Sequence, residues 1–125
     1  MHERVPAIKV LLLPQHTNAY GTIFGGVILS YVDLASAVEA RKASPHRYVT
    51  KAMREVEFHA PVHVGDIVSF YTETVRLGRT SITVRVHVEA ERWSNGAADR
   101  VRVTEAEVVL VAVNEAGIPV PIRSA

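Results

Sequence analysis

The chain has no cysteine, which excludes disulfides, thiolate nucleophiles and zinc-finger sites and leaves the compartment open as far as redox chemistry goes. It also lacks a long apolar run near its N-terminus. The stretch from Val10 to Pro14 is too short for a signal-peptide core or a membrane span. Neither charge is in excess: fourteen Lys and Arg are scattered among thirteen Asp and Glu, for a net charge of +1 with histidine neutral. Nucleic acid is therefore not an expected partner. No linker, repeat or low-complexity segment is visible. The expectation is a cytoplasmic protein with no nucleic-acid or membrane partner.

At 125 residues, 48% apolar and 22% charged, the chain has the size and composition of one globular domain, residues 1–125, able to bury a core without metal or disulfide. Proline is missing between Ile23 and Ala43, and Leu29, Val32, Ser36, Ala37 and Ala40 fall at helical spacings. Length and the stop at Pro45 favour a helix over a strand. Up to Val38 this helix is almost entirely apolar or small, and only Glu39, Arg41 and Lys42 look solvated, so it is expected to be buried all round.

The remainder reads as strand. "SITVRVHVEAE" alternates Ile82, Val84, Val86 and Val88 with Thr83, Arg85, His87 and Glu89, the period of a sheet with one dry face. "DIVSFYTETV" is rich in β-branched and aromatic residues, and "LGRT" supplies a hairpin turn after it. "VRVTEAEVVLVAV" follows the turn signal Asn95-Gly96, "YVTKAMREVEF" ends at Ala60-Pro61, and "VPAIKVLLL" is a first strand that Pro6 should place at an edge. The order strand, helix, four strands predicts an α+β fold, with an antiparallel sheet curling round one long helix.

Asp33 is the anomaly, a carboxylate between Val32 and Leu34. On a helix it shares a small, polar stripe with Gly26, Ser30 and Ala37. An ionised acid out of water must be paired, protonated or open to a cavity. The plainer reading is a hydrogen bond to a nearby backbone group or serine. The functional one is a general base. Gly25 and Gly26 sit where the helix begins, among unpaired N–H groups at the positive end of its dipole, and lacking Cβ they would let an oxyanion come close. As isolated glycines they could equally just ease the chain into the helix. Eight residues separate Gly25 from Asp33, roughly 12 Å of helix, too far for both to serve one carbonyl. If both act, a two-fold pair of antiparallel helices has to bring them together from different subunits.

"PQHTNAYGTIFGGVILSYVD" resembles the signature of hotdog-fold acyl-CoA thioesterases of the YciA-like and cytosolic acyl-CoA hydrolase group. "YVTKAMREVEFHAPVHVGDIV" and "LGRTSITVRVHVEAE" are similar to the strands that follow in that family, so the likeness spans nearly the whole chain. It implies a hotdog fold, a helix wrapped by a five-stranded antiparallel sheet, assembled as homodimers and frequently as trimers of dimers. It also implies hydrolysis of acyl-CoA to acid and CoA without cofactor or metal, CoA being part of substrate and product. By position, Asp33 is the family's carboxylate, as general base or nucleophile. Asn18, whose plainer reading is a loop cap, is its motif asparagine from the opposite subunit, and Gly25 or Gly26 gives the oxyanion N–H. Gly78, Arg79, Thr80 and Ser81 offer a cation, hydroxyls and N–H groups for CoA phosphates, although a hairpin with a solvated arginine looks the same. Arg76 and Arg54 are weaker candidates, and Thr50 and Phe58 are placed along the pantetheine or acyl channel. Gln15-His16 and Thr22 depart from the family pattern.

Other signals weigh less. His59 and His63 flank Pro61 in an extended segment and do not make a helical zinc pair; they read as surface or interface residues. Arg85, His87 and Glu89 read as a solvated sheet face, and Trp93 as packing or an oligomer contact. Two rival functions stay in view. One is a hotdog dehydratase or hydratase, which would need a histidine such as His16. The other is an acyl-CoA-binding regulatory module without catalysis.

Overall fold

A computed structural model describes residues 4–94 and 96–122. The elements run β1 (Ile8–Leu11), a 3-10 turn (Pro14–His16), α1 (Gly25–Ala43), β2 (Arg47–Phe58), β3 (Ile67–Leu77), β4 (Ser81–Ser94) and β5 (Ala97–Val113). The strands form one five-stranded sheet in the order β1-β3-β4-β5-β2, and every neighbouring pair is antiparallel. One long helix against a five-stranded antiparallel sheet is the expected architecture. Of the expected turn at Asn95-Gly96, Asn95 lies outside the described residues, and Gly96 has a φ of +77°, which costs glycine least.

Strand β4 shows how the sequence makes the core. Ile82, Val84 and Val86 are completely buried, and α1 packs against this layer and against β3. The helix contributes Ile28, Val32, Ala35 and Ala40, β3 contributes Val68 and Phe70, and β5 contributes Ala106, Val108, Leu110 and Ala112. Each large side chain of this kind adds about 1.5–3 kcal/mol on burial, which fixes the helix on the sheet.

Four expectations need correction. The helix is not buried all round: its buried residues, Ile28, Val32, Ala35, Ser36 and Ala40, form one stripe, while Leu34 is 56% and Val38 39% exposed. A single sheet covers only one side of a rod, so the apolar composition of the other side has no partner within the chain. Glu39 is not solvated either; its two carboxylate oxygens accept hydrogen bonds from Thr72 and Thr74 at 2.9 and 2.8 Å, tying α1 to β3. Strand β5 starts at Ala97 rather than Val101, because backbone pairing with β4 continues through residues (Arg92 with Asp99, Trp93 with Ala98) that show no alternating apolar pattern.

The fourth correction concerns the outer sheet face. Arg85, His87 and Glu89 are half-buried and each meets a polar partner on the neighbouring strand. Arg85 reaches Glu107 at 2.5 Å, His87 reaches Glu105 at 3.1 Å, and Arg100 approaches Glu89 at 3.8 Å. The Arg85 hydrogen bond, joined by one from Arg54 and outweighing partial desolvation, holds the Glu107 carboxyl below the usual glutamate range. Desolvation pushes Glu105 the other way, yet the His59 hydrogen bond and the nearby positive charges leave it lowered too.

The two sheet edges differ. Strand β1 is short and follows Pro6. Strand β2 is longer and broken by register shifts at Thr50/Ala52 and Arg54/Glu57. Within the second shift Glu55 has a φ of +53°, a left-handed conformation that a residue with a Cβ adopts at a cost. The β2–β3 connection is clamped by Asp66, 3% exposed, which accepts the His63 N–H at 2.9 Å and an Arg92 guanidinium hydrogen bond at 2.8 Å. No helix among the described residues is long and apolar enough to cross a membrane.

Candidate active site

Asp33 lies on α1, half-buried at the margin of the exposed stripe. Its Oδ1 accepts a hydrogen bond from the Thr50 hydroxyl at 2.5 Å. Among the described residues no hydrogen bond reaches Oδ2. The carboxylate is thus held by one oxygen and open at the other. Ser36, a buried neighbour, bonds the Asp33 backbone carbonyl at 2.7 Å and leaves the side chain alone. The partner is therefore a strand threonine rather than a helix serine. Thr50, read from the sequence as a channel residue, touches the candidate base itself. Nothing local could have shown this, because the two residues sit on different elements and meet only when β2 lies alongside α1.

Gly25 and Gly26 open the helix after Phe24, which caps it without a side-chain hydrogen bond. Phe24 N–H donates to the His16 carbonyl and Val27 N–H to the Phe24 carbonyl. Among the described residues no acceptor meets the N–H of Gly25 or Gly26, so two donors stand ready at the positive end of a nineteen-residue helix. The absence of Cβ matters at Gly26 and little at Gly25. A Cβ on Gly26 would lie 2.6 Å from a Phe24 ring carbon, and one on Gly25 would lie 3.5 Å from the Phe58 ring.

Asn18 organises the loop ahead of these donors. Its Oδ1 accepts the N–H groups of Tyr20 and Thr22, at 2.8 and 3.2 Å, and its Nδ2 donates to Thr22 Oγ1 at 2.9 Å. An amide nitrogen carries two hydrogens, and the second has no partner among the described residues. The loop-cap reading is therefore realised, and one donor is still available. Thr22, a departure from the expected pattern, is the residue that receives the first. His16 Nδ1 accepts the Leu13 N–H at 3.1 Å, which ties that ring into the 3-10 turn.

The hairpin from Gly78 to Ser81 is closed by the Gly78 N–H on the Ser81 carbonyl at 2.8 Å, while the carbonyls of Arg79 and Thr80 receive Ile122 and Ala112. Among the described residues the N–H groups of Arg79 and Thr80 have no acceptor, and Arg79 is exposed. Ser81 lies opposite Val111, and Val111 opposite Val49, the residue before Thr50. At about 4.8 Å per strand, the hairpin is roughly 10 Å from the Asp33–Thr50 pair. Arg54 is committed to Glu107, and Arg76 is an exposed residue of β3.

The chain thus carries two separated groups. Asp33, Thr50 and the hairpin form one, and Asn18, the Gly25–Gly26 donors, Phe24 and Phe58 form the other. Both groups carry exposed apolar side chains: Tyr20 is 89% exposed, Phe24 57%, Phe58 51% and Val49 48%. Among the described residues no group of three or more His, Asp or Glu could hold a metal ion.

Comparison with known proteins agrees with the fold. Residues 20–93, over half of the chain, match the model of the Thioesterase superfamily. The acyl-CoA thioester hydrolase YciA of Salmonella typhimurium is 36% identical over 92% of this chain and 87% of its own length. The hexameric hotdog fold thioesterase Cj0915 of Campylobacter jejuni superposes with a TM-score of 0.90 at 46% identity, covering 94% of this chain and 90% of that one. The hexameric thioesterase y2039 of Yersinia pestis superposes with a TM-score of 0.90 at 35% identity, covering 99% of both. On its fold, its sequence and the span of these matches, the chain belongs to the thioesterase superfamily, among the hotdog-fold acyl-CoA thioesterases of the YciA-like group.

Proposed function

We propose that the chain hydrolyses acyl-CoA thioesters to a free carboxylic acid and CoA in the cytoplasm, as a homo-oligomer whose sites are shared across a two-fold axis. The observation that carries the mechanism is the Asp33 carboxylate, oriented by Thr50 through one oxygen and unoccupied at the other. In this reading Oδ2 takes a proton from water as the water oxygen attacks the thioester carbon. The N–H groups of Gly25 and Gly26 from the partner stabilise the oxyanion that forms, and the remaining Asn18 amide hydrogen orients the substrate carbonyl. When the carbon–sulfur bond breaks, Asp33 returns the proton to the departing sulfur. The base is then regenerated without metal or cofactor, and the acid carries the water oxygen.

The separation of the two groups supports sharing between subunits. A helix rise of about 1.5 Å per residue keeps Asp33 roughly 12 Å from Gly25 within one chain, whereas antiparallel helices about a two-fold axis present one subunit's donors to the other's acid. Exposed Leu34 and Val38 beside Asp33, and the open edge of β2, provide the surface for that pairing. The Gly78–Ser81 hairpin is the proposed seat of the CoA phosphates, with Arg79 as the cation and its N–H and that of Thr80 as donors. A hexamer built as a trimer of dimers is the proposed assembly; the two superposed thioesterases are hexameric.

The test is release of free CoA thiol from acyl-CoAs of increasing chain length by wild type and Asp33→Asn. A protein without cysteine leaves the thiol reagent no side reaction. Turnover by wild type that falls at least about 100-fold in the variant, with the oligomer intact, is the expected result. Binding of acyl-CoA without thiol release by either protein would instead make the chain a binding module.

A further inference from the structure

After β5 the chain turns back on itself. Asn114 closes the turn, its Oδ1 accepting the N–H groups of Ala116 and Ile118, and the residues that follow lie along β5 where β4 has stopped. The pairing of β4 with β5 reaches Val111, opposite Ser81; Val113 pairs instead with Pro119, and the Val120 N–H donates to the Ala112 carbonyl. This course brings Ile122 to the hairpin, where its N–H donates to the Arg79 carbonyl at 2.8 Å. Ile122 is itself fixed in two further ways. Its side chain is 4% exposed and belongs to the core cluster, and its carbonyl accepts His46 Nε2 at 2.7 Å and the Ser44 hydroxyl at 3.2 Å. A carbonyl can only accept, so Nε2 carries the proton. The Tyr48 hydroxyl donates to the Ser44 carbonyl at 2.8 Å, and its ring meets that of His46 edge to face.

Peptide geometry carries this hold into the hairpin. The Arg79 carbonyl and the Thr80 N–H belong to one trans peptide unit, in whose plane they point opposite ways. Holding the carbonyl towards Ile122 therefore turns the Thr80 N–H away from that segment. Without the hold the unit is free to rotate and to present a carbonyl oxygen, which repels an anion, where a donor had been.

We infer that residues 119–122 set the hairpin for the phosphates of CoA, with Ile122 as the positioning residue and Ser44 and His46 as its anchors. This rests on the reading of the hairpin as the seat of those phosphates. Ile122 acts through Thr80: a donor already oriented beside the Arg79 cation receives an anion without reorganising. The hairpin is roughly 10 Å from the Asp33–Thr50 pair, so loosening it weakens the grip on the nucleotide end and leaves the chemical step alone.

The experiment measures kcat and KM by thiol release for an acyl-CoA and for the matching acyl-pantetheine, which has the same thioester and no phosphate. It uses wild type, Ile122→Pro, His46→Phe, His46→Gln and Arg79→Ala, each with its oligomeric state verified. Ile122→Pro removes the N–H. His46→Phe keeps a ring and removes the donor, His46→Gln restores an N–H, and both leave the core untouched should Ile122→Pro not fold. Ile122→Pro and His46→Phe are expected to raise KM for the acyl-CoA at least about fivefold, with kcat and both constants for the acyl-pantetheine as in wild type, and His46→Gln to recover most of the loss. An unchanged KM for the acyl-CoA, or an equal rise for both substrates, overturns the positioning role. If Arg79→Ala then still weakens the acyl-CoA alone, the phosphate seat stands without Ile122; if it too treats both substrates alike, the seat lies elsewhere and this inference falls with it. Absence of thiol release from both substrates by wild type removes hydrolysis itself, and the inference as well.

Discussion

Asp33 and Thr50 meet through one hydrogen bond, and at the scale of single residues that bond is the feature most open to test. Thr50→Val, which keeps the shape and removes the donor, is expected to lower kcat about tenfold or more with little change in stability, and Thr50→Ser to recover most of it. Equal losses for Val and Ser would mean that the hydroxyl does not orient the base. On the outer face, the Arg85 hydrogen bond is the first cause of the lowered Glu107 carboxyl. A carboxylate lowered in the folded state adds stability above the unfolded glutamate value, and that contribution is lost as pH falls through the folded value. Glu107→Gln should therefore lower stability at neutral and alkaline pH and flatten the acid side of a stability-versus-pH curve obtained by denaturant titration. Asp33 was legible in the sequence because a charge stands out in an apolar segment. Its bond to Thr50 was not, because hydrogen bonds between elements leave no periodicity.

Elements were legible where one face is dry. The alternation in β4 and the proline-free run of α1 located both, since burial imposes a period of two or of about 3.6. The beginning of β5 was hidden, because backbone pairing continues where side chains are polar, and the exposure of half of α1 was hidden because composition records only that a residue is apolar. The bulge in β2 also gave no signal. Glu55 there holds a left-handed φ of +53° that glycine adopts without crowding. Glu55→Gly is expected to stabilise the fold by up to about 1 kcal/mol despite the looser unfolded chain, measured as a higher midpoint in urea. A lower midpoint would show that the glutamate side chain contributes more than its backbone costs.

For the molecule as a whole, a site split between subunits makes activity depend on assembly. Asp33→Ala and Asn18→Ala should each be inactive, and mixed dimers formed by subunit exchange should regain up to about one functional site in two. No recovery in verified mixed dimers would place the whole site within one chain. The sheet order has a further consequence. Among the described residues strand β2, which carries Thr50 and Phe58, pairs only with β5, and β5 comes after the other four strands in chain order. Until residues up to Val113 have left the ribosome, the strand holding the orienting threonine has no neighbouring strand to pair with. A chain cut short before β5 would keep every proposed catalytic residue and still be unable to hold Thr50 against Asp33, so the activity matures with the final strand rather than with the motif that announces it.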